Sequence, residues 1–149
     1  MDKKSRERKD SVYQKTEKLL RAYPALKEHV SDERAYMDMI FKGKSKSITS
    51  WSSTPSEYHE DQALHERFDS LQRSKTDIDR IEKAISKADV VPYMSVIEAA
   101  YFYVTDDGRR PTNEEIAQRL HMDPRTVSRH RKAGVERISV YIFGSDAIM

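Results

Sequence analysis

Cysteine is absent from the 149 residues, which excludes disulfides and thiolate-held metal. Glycine is scarce, at four, and no phosphate-cradling glycine loop is present. Hydrophobic residues make up 37% of the chain against 35% charged, enough for a modest core but poor material for a large sheet. No apolar run approaches the length of a membrane span, and the first ten residues are too charged for a secretory signal. A soluble, cytoplasmic protein with no membrane partner is therefore expected. An excess of one charge sign is missing too: 27 lysines and arginines face 25 acids, for a net +2. Affinity for nucleic acid would have to come from local clustering. Chemistry-bearing constellations are also lacking. The nearest metal candidate is His59, Glu60, Asp61, His65 and Glu66, but His59 and His65 are six apart, which is not a one-face helical separation. No serine or threonine sits in a nucleophile-elbow context. Neither catalytic residues nor a metal or cofactor is expected, and the chain reads as a binding protein rather than an enzyme.

Against these absences one segment stands out. From Thr112 to Lys132 the chain reads TNEEIAQRLHMDPRTVSRHRK. Thr112 with Glu115 three positions later is a capping box, in which each side chain satisfies an orphan amide of the other. Ile116, Ala117 and Leu120 then form a short apolar stripe, with small Ala117 where a second helix must pass close. His121 and Met122 make the turn. Asp123 before Pro124 opens another helix, with an N-cap oxygen and a proline at the first helical position. That helix carries Arg125, Arg129, Arg131 and Lys132 around Val127 as its apolar anchor. Between 124 and 138 there are five cations and one acid, a local net of +4. Two short helices around a tight turn, the second cationic, form the geometry that inserts a helix into the DNA major groove. A purely structural helix pair with a solvated basic face is the competing reading.

The remainder is all-α. Residues 1–10 read as a flexible basic tail (Lys3, Lys4, Arg6, Arg8, Lys9), and 11–42 as an N-terminal helical pair interrupted at Pro24. Residues 43–55 form a polar serine- and threonine-rich linker containing the lone Trp51, whose ring is expected to fold back onto the helices. Over 56–89 a long central helix carries Leu64, Phe68, Leu71, Ile78, Ile81 and Ile85 at steps of three and four, with Lys75 at the one missing step. Such a narrow stripe suits a two-helix seam, within the chain or between copies. Residues 90–149 read as the helix-turn-helix domain, with Tyr93–Val104 as its buried first helix. Gly134, in mid-helix, implies a close contact with that first helix, and His130 is expected half-buried and structural.

One helical turn separates Arg125 from Arg129, so the two share a face, and both are expected at base edges with Thr126 or Ser128 assisting. Arg109, Arg110, Thr112, Arg131 and Lys132 are expected at phosphates. Double-stranded DNA is the predicted partner. A single such unit buries too little surface for tight site selection, so a homo-oligomer, a dimer first of all, is expected.

From Tyr93 onward the pattern resembles region 4 of bacterial sigma factors: T-x-E-E-I-A-x-x-L, an arginine-bearing recognition helix, then apolar steps at Val135 and Ile138. His130 departs from it, standing where an aliphatic is commoner. Upstream, Thr16-Glu17-Lys18-Leu19-Leu20-Arg21-Ala22-Tyr23-Pro24-Ala25-Leu26-Lys27 resembles the opening of phage-borne late transcriptional regulators of the RinA and ArpU type. In those a polar segment, a long helix and a sigma-like helix-turn-helix follow in the same order. The resemblance implies control of late phage or prophage genes, with contact to host RNA polymerase by analogy. Two alternatives stay open: a phage small terminase subunit, which also joins a helix-turn-helix to oligomerising helices, and a helical adaptor that binds protein.

Overall fold

The structure, a computed structural model, describes residues 3–45 and 55–148, without the side chains of Phe41 and of residues 43–61. Trp51 and most of the expected 43–55 linker lie outside the described residues, as do the side chains of His59, Glu60 and Asp61. Every regular element among the described residues is helical. They are α1 (Lys3–Ser45), α2 (Pro55–Ile85), α3 (Met94–Ile97), α4 (Asn113–Leu120) and α5 (Pro124–Phe143). None of these helices is long and apolar enough to cross a membrane.

Two expectations are corrected at the N-terminus. Pro24 does not divide a helical pair; it stands inside one helix, α1. A mid-helix proline removes one hydrogen bond and crowds the carbonyl four residues back, at a cost of about 3 kcal/mol. The inward face persists across it: Val12, Thr16, Leu20, Val30 and Met37 are all buried, while Pro24 is exposed. Packing on both sides outweighs the lost bond. Nor are residues 3–10 a separate tail. They are the first turns of α1, built from strong helix formers and anchored one turn on by buried Val12.

The chain divides into two compact units, Met1–Pro24 with Asp79–Met149, and Ala25–Ile78. The expected 90–149 domain is thus too short. Its core needs Leu20 from α1 and Ile81 and Ala84 from α2, which join Val96, Ile97, Ile116, Val127, Val135 and Ile138 in one buried cluster. The reason is geometric: α3 has four residues and α4 eight, too few to cover the apolar face of the 20-residue α5, so a further pair of helices must do so.

Between α2 and α4 the backbone is irregular. Fully buried Val90 leads into a tight 3-10 turn at Val91–Tyr93, then α3, which widens into a π-type turn over Glu98–Phe102. Tyr103 is extended, with ψ 137°, so this helical segment ends one residue before it rather than at Val104. The expected Gly134 contact is present. A methyl group there would lie 2.9 Å from Ile97 Cδ1 and 3.1 Å from Tyr93 Cβ, so glycine lets α5 pass close over α3.

Candidate nucleic-acid interface

Local chemistry sets the frame of the helix pair. The Thr112 hydroxyl accepts the Glu115 amide at 3.3 Å, and the Glu115 carboxylate accepts the Thr112 amide at 3.5 Å, closing the capping box. His121 ends α4 in the left-handed region at φ 55°, and the Met122 amide donates back to the Ala117 carbonyl at 2.9 Å. Asp123 Oδ1 then accepts the Arg125 amide at 2.8 Å, capping α5. Two caps around one αL residue fix where α5 starts and how it leaves α4.

Along α5 a step of 100° per residue sorts the side chains into two faces. Val127, Val135 and Ile138 are fully buried, with Gly134 beside them. On the opposite side Arg125, Ser128, Arg129 and Lys132 are exposed, and together they span an arc of roughly 100°. Among the described residues no ion pair or hydrogen bond engages the side chains of Arg125, Arg129, Lys132 or Arg110. Thr126 is half-buried at the margin. Partly exposed Glu136, one turn after Lys132, ends the basic stretch.

The neighbour of Lys132 has a different place. Arg131, expected at a phosphate, is turned inward, because it lies four residues from both Val127 and Val135 and so falls on the buried side. Its Nε donates to the Tyr101 hydroxyl at 2.9 Å, Nη1 to Asn113 Oδ1 at 3.4 Å and Nη2 to Glu17 Oε2 at 3.4 Å. The Tyr101 hydroxyl in turn donates to Glu17 Oε2 at 2.6 Å. Burial, then the bond to Glu17, holds the Tyr101 phenol well above its usual range, so it stays a neutral donor. One acid on α1, one phenol after α3 and one guanidinium on α5 thereby fix the roll of α5. Glu17 and Tyr101 were not singled out from the sequence, since nothing local ties residues 84 positions apart.

Arg109 is corrected likewise. Its guanidinium grips Glu115 with Nη1 at 2.7 Å and Nη2 at 3.2 Å, while Nε reaches Asp107 at 3.0 Å. Arg109 braces the loop before α4 rather than presenting free donors, and the hydrogen bond from it is the first cause holding the Glu115 carboxyl below its usual range. That carboxylate also occupies the Thr112 amide, so Thr112 serves as a cap and its amide is not open to a phosphate. His130 stands half-buried, as expected, and edge-on to the Tyr93 ring at 5.2 Å.

Beside the basic arc, a groove of about 550 Å³ runs between α1 and α5, with Lys9, Tyr13, Ser128 and Lys132 among its lining residues. Arg125 and Arg129 stand outside it, so α1 flanks the arc without covering it. Compared with known protein families, curated proteins and solved structures, the chain matches none.

Proposed function

We propose that the chain binds double-stranded DNA with α5 in the major groove and acts as a sequence-specific transcriptional regulator. The observation that carries this reading is the solvent-facing arc of Arg125, Ser128, Arg129 and Lys132 on a helix capped at its start and seated over a dry core. Arginine presents a planar fork that matches the O6 and N7 acceptors of guanine, and two arginines one turn apart can address neighbouring base pairs. Lys132 and Arg110 are the cations left for phosphates, once Arg109 and Arg131 are assigned to holding the domain together. The likeness in residue order to phage late-gene regulators supports a role at late phage or prophage promoters, and the sigma-like form supports contact with host RNA polymerase. Because one helix reads a short half-site, two copies on a two-fold site are part of the proposal.

Sequencing DNA fragments that co-purify with the protein supplies the site. On it, Arg129→Ala should weaken binding by about 1–3 kcal/mol and relax preference at one base pair. Equal losses on cognate and random duplex would remove the base-reading role. Failure to retain any duplex at low salt would remove the whole proposal.

A further inference from the structure

In the second compact unit, residues 25–78, the described residues 25–45 and 55–78 lie in α1 and α2. Val30, Met37, Leu71 and Ile78 are buried, but each keeps 3–7% exposure, whereas Leu20 and Ile81 in the first unit keep none. Helix pairs draw their stability from packing more than from propensity, so a seam this narrow leaves the pair short of cover. Next to it Arg34, Met37, Asp38, Phe68, Leu71 and Lys75 line a groove of about 210 Å³. Phe68 is the apolar step of the α2 stripe that the internal seam leaves open, with 42% of its surface in solvent. Met39, on α1, is 65% exposed.

The charges around this groove are ordered. On α1, Tyr23 meets Glu82 of α2 and, ten residues on, Glu33 meets Arg67, so the two helices run antiparallel. Lys75 therefore marks one end of the groove and Asp38 the other, with Arg34 one turn from Asp38 towards the Lys75 end. With Lys75 at one end, Asp38 at the other, and Phe68 and Arg34 between them, half a turn brings the Lys75 of each copy to the Asp38 of the other. A contact between identical surfaces is what two-fold symmetry requires.

We propose that a second copy of this chain occupies the groove, with Phe68 of each copy over Met37 and Leu71 of the other. Lys75 of each copy then faces Asp38 of the other. This gives a location to the two-copy part of the DNA-binding reading, and its test needs no DNA.

Sedimentation velocity on the full chain should return the mass of two copies. Phe68→Ala should raise the dimer dissociation constant about tenfold or more. Asp38→Lys and Lys75→Asp should each weaken association, and the two together should restore it, because each altered residue then meets its altered partner. Helical circular dichroism, unchanged in every variant, separates lost association from lost folding. A monomeric parent chain, a ring of eight or more copies, or a double variant no better than either single one would overturn the contact. A dimer that ignores DNA would leave the contact standing and end the regulator reading. A monomer that selects its DNA site would do the reverse.

Discussion

Arg131 and Lys132 are adjacent in sequence, but Arg131 is turned inward and Lys132 lies on the exposed arc, and replacing each in turn separates the holding of α5 from its proposed contact with DNA. Arg131→Met keeps the unbranched apolar stem of the side chain but removes the donors to Tyr101, Asn113 and Glu17. Tyr101 can still donate to Glu17, and Arg21 remains 3.5 Å from the same carboxylate, so the acid is not left wholly unpaired. A fully buried ion pair broken on one side costs roughly 3–5 kcal/mol. With 28% of Arg131 and 16% of Glu17 in solvent, screening and the surviving partners reduce this to about 2–3 kcal/mol. For a chain of this size that is a fall in Tm of roughly 5–10 °C. Lys132→Ala, on the exposed arc, should shift stability by no more than about 0.5 kcal/mol. On DNA the order reverses. Lys132→Ala should lower the slope of log affinity against log salt by about 1, and Arg131→Met should leave that slope alone. Urea unfolding and a salt titration of duplex binding, run on both variants, read out all four quantities. If Arg131→Met melts like the parent while flattening the salt dependence, the inward assignment of Arg131 fails, and with it the account of how α5 is oriented.

Gly134→Ala should destabilise despite the gain of about 1 kcal/mol in helix propensity, because the new methyl overlaps buried Ile97 and Tyr93 Cβ, and overpacking costs about 1–3 kcal/mol; a higher melting temperature would mean α3 and α5 are not in close contact. Alkaline unfolding should begin where ordinary tyrosine ionises: burial, then the bond to Glu82, pushes Tyr23 up to about 12, and Tyr101 is raised as well. A phenol held protonated by the fold contributes stability that is whole below its ordinary value of 10 and is lost as pH climbs through the raised one, so urea midpoints flat across pH 10–12 would contradict both environments.

Local signals carried much of the fold. The capping box at Thr112 and Glu115, the Asp123-Pro124 start and the Gly134 contact each depend on residues within a turn or on one steric demand, and each is present. Pro24 misled because proline's local penalty is fixed, whereas the packing that outweighs it comes from α2 and α3, far along the chain. The domain boundary misled for the same reason, since the coverage supplied by Leu20, Ile81 and Ala84 is tertiary. At the candidate site, the exposed members Arg125, Ser128, Arg129 and Lys132 were legible from helical spacing. So, in principle, was the inward turn of Arg131, since four residues separate it from Val127 and from Val135. Its partners Glu17 and Tyr101 were not, because spacing shows which way a side chain points but not what another segment brings to meet it.

The proposed DNA-binding mode requires α5 to hold a fixed roll. An exposed arginine can address a base edge only if the helix behind it resists rolling, since one residue step turns a side chain by 100°. The apolar anchors Val127, Val135 and Ile138 resist tilt and separation, but a smooth hydrophobic face opposes rotation weakly. Directional bonds supply what it lacks. Arg131 is held by three acceptors from three other segments: Tyr101 in the π-type turn after α3, Asn113 at the start of α4 and Glu17 in the N-terminal half of α1. The inward arginine thus sets the angle at which Arg125 and Arg129 leave the surface. In the proposed DNA-binding mode α1 therefore helps to set the reading surface, although none of the residues proposed to read bases lies on it.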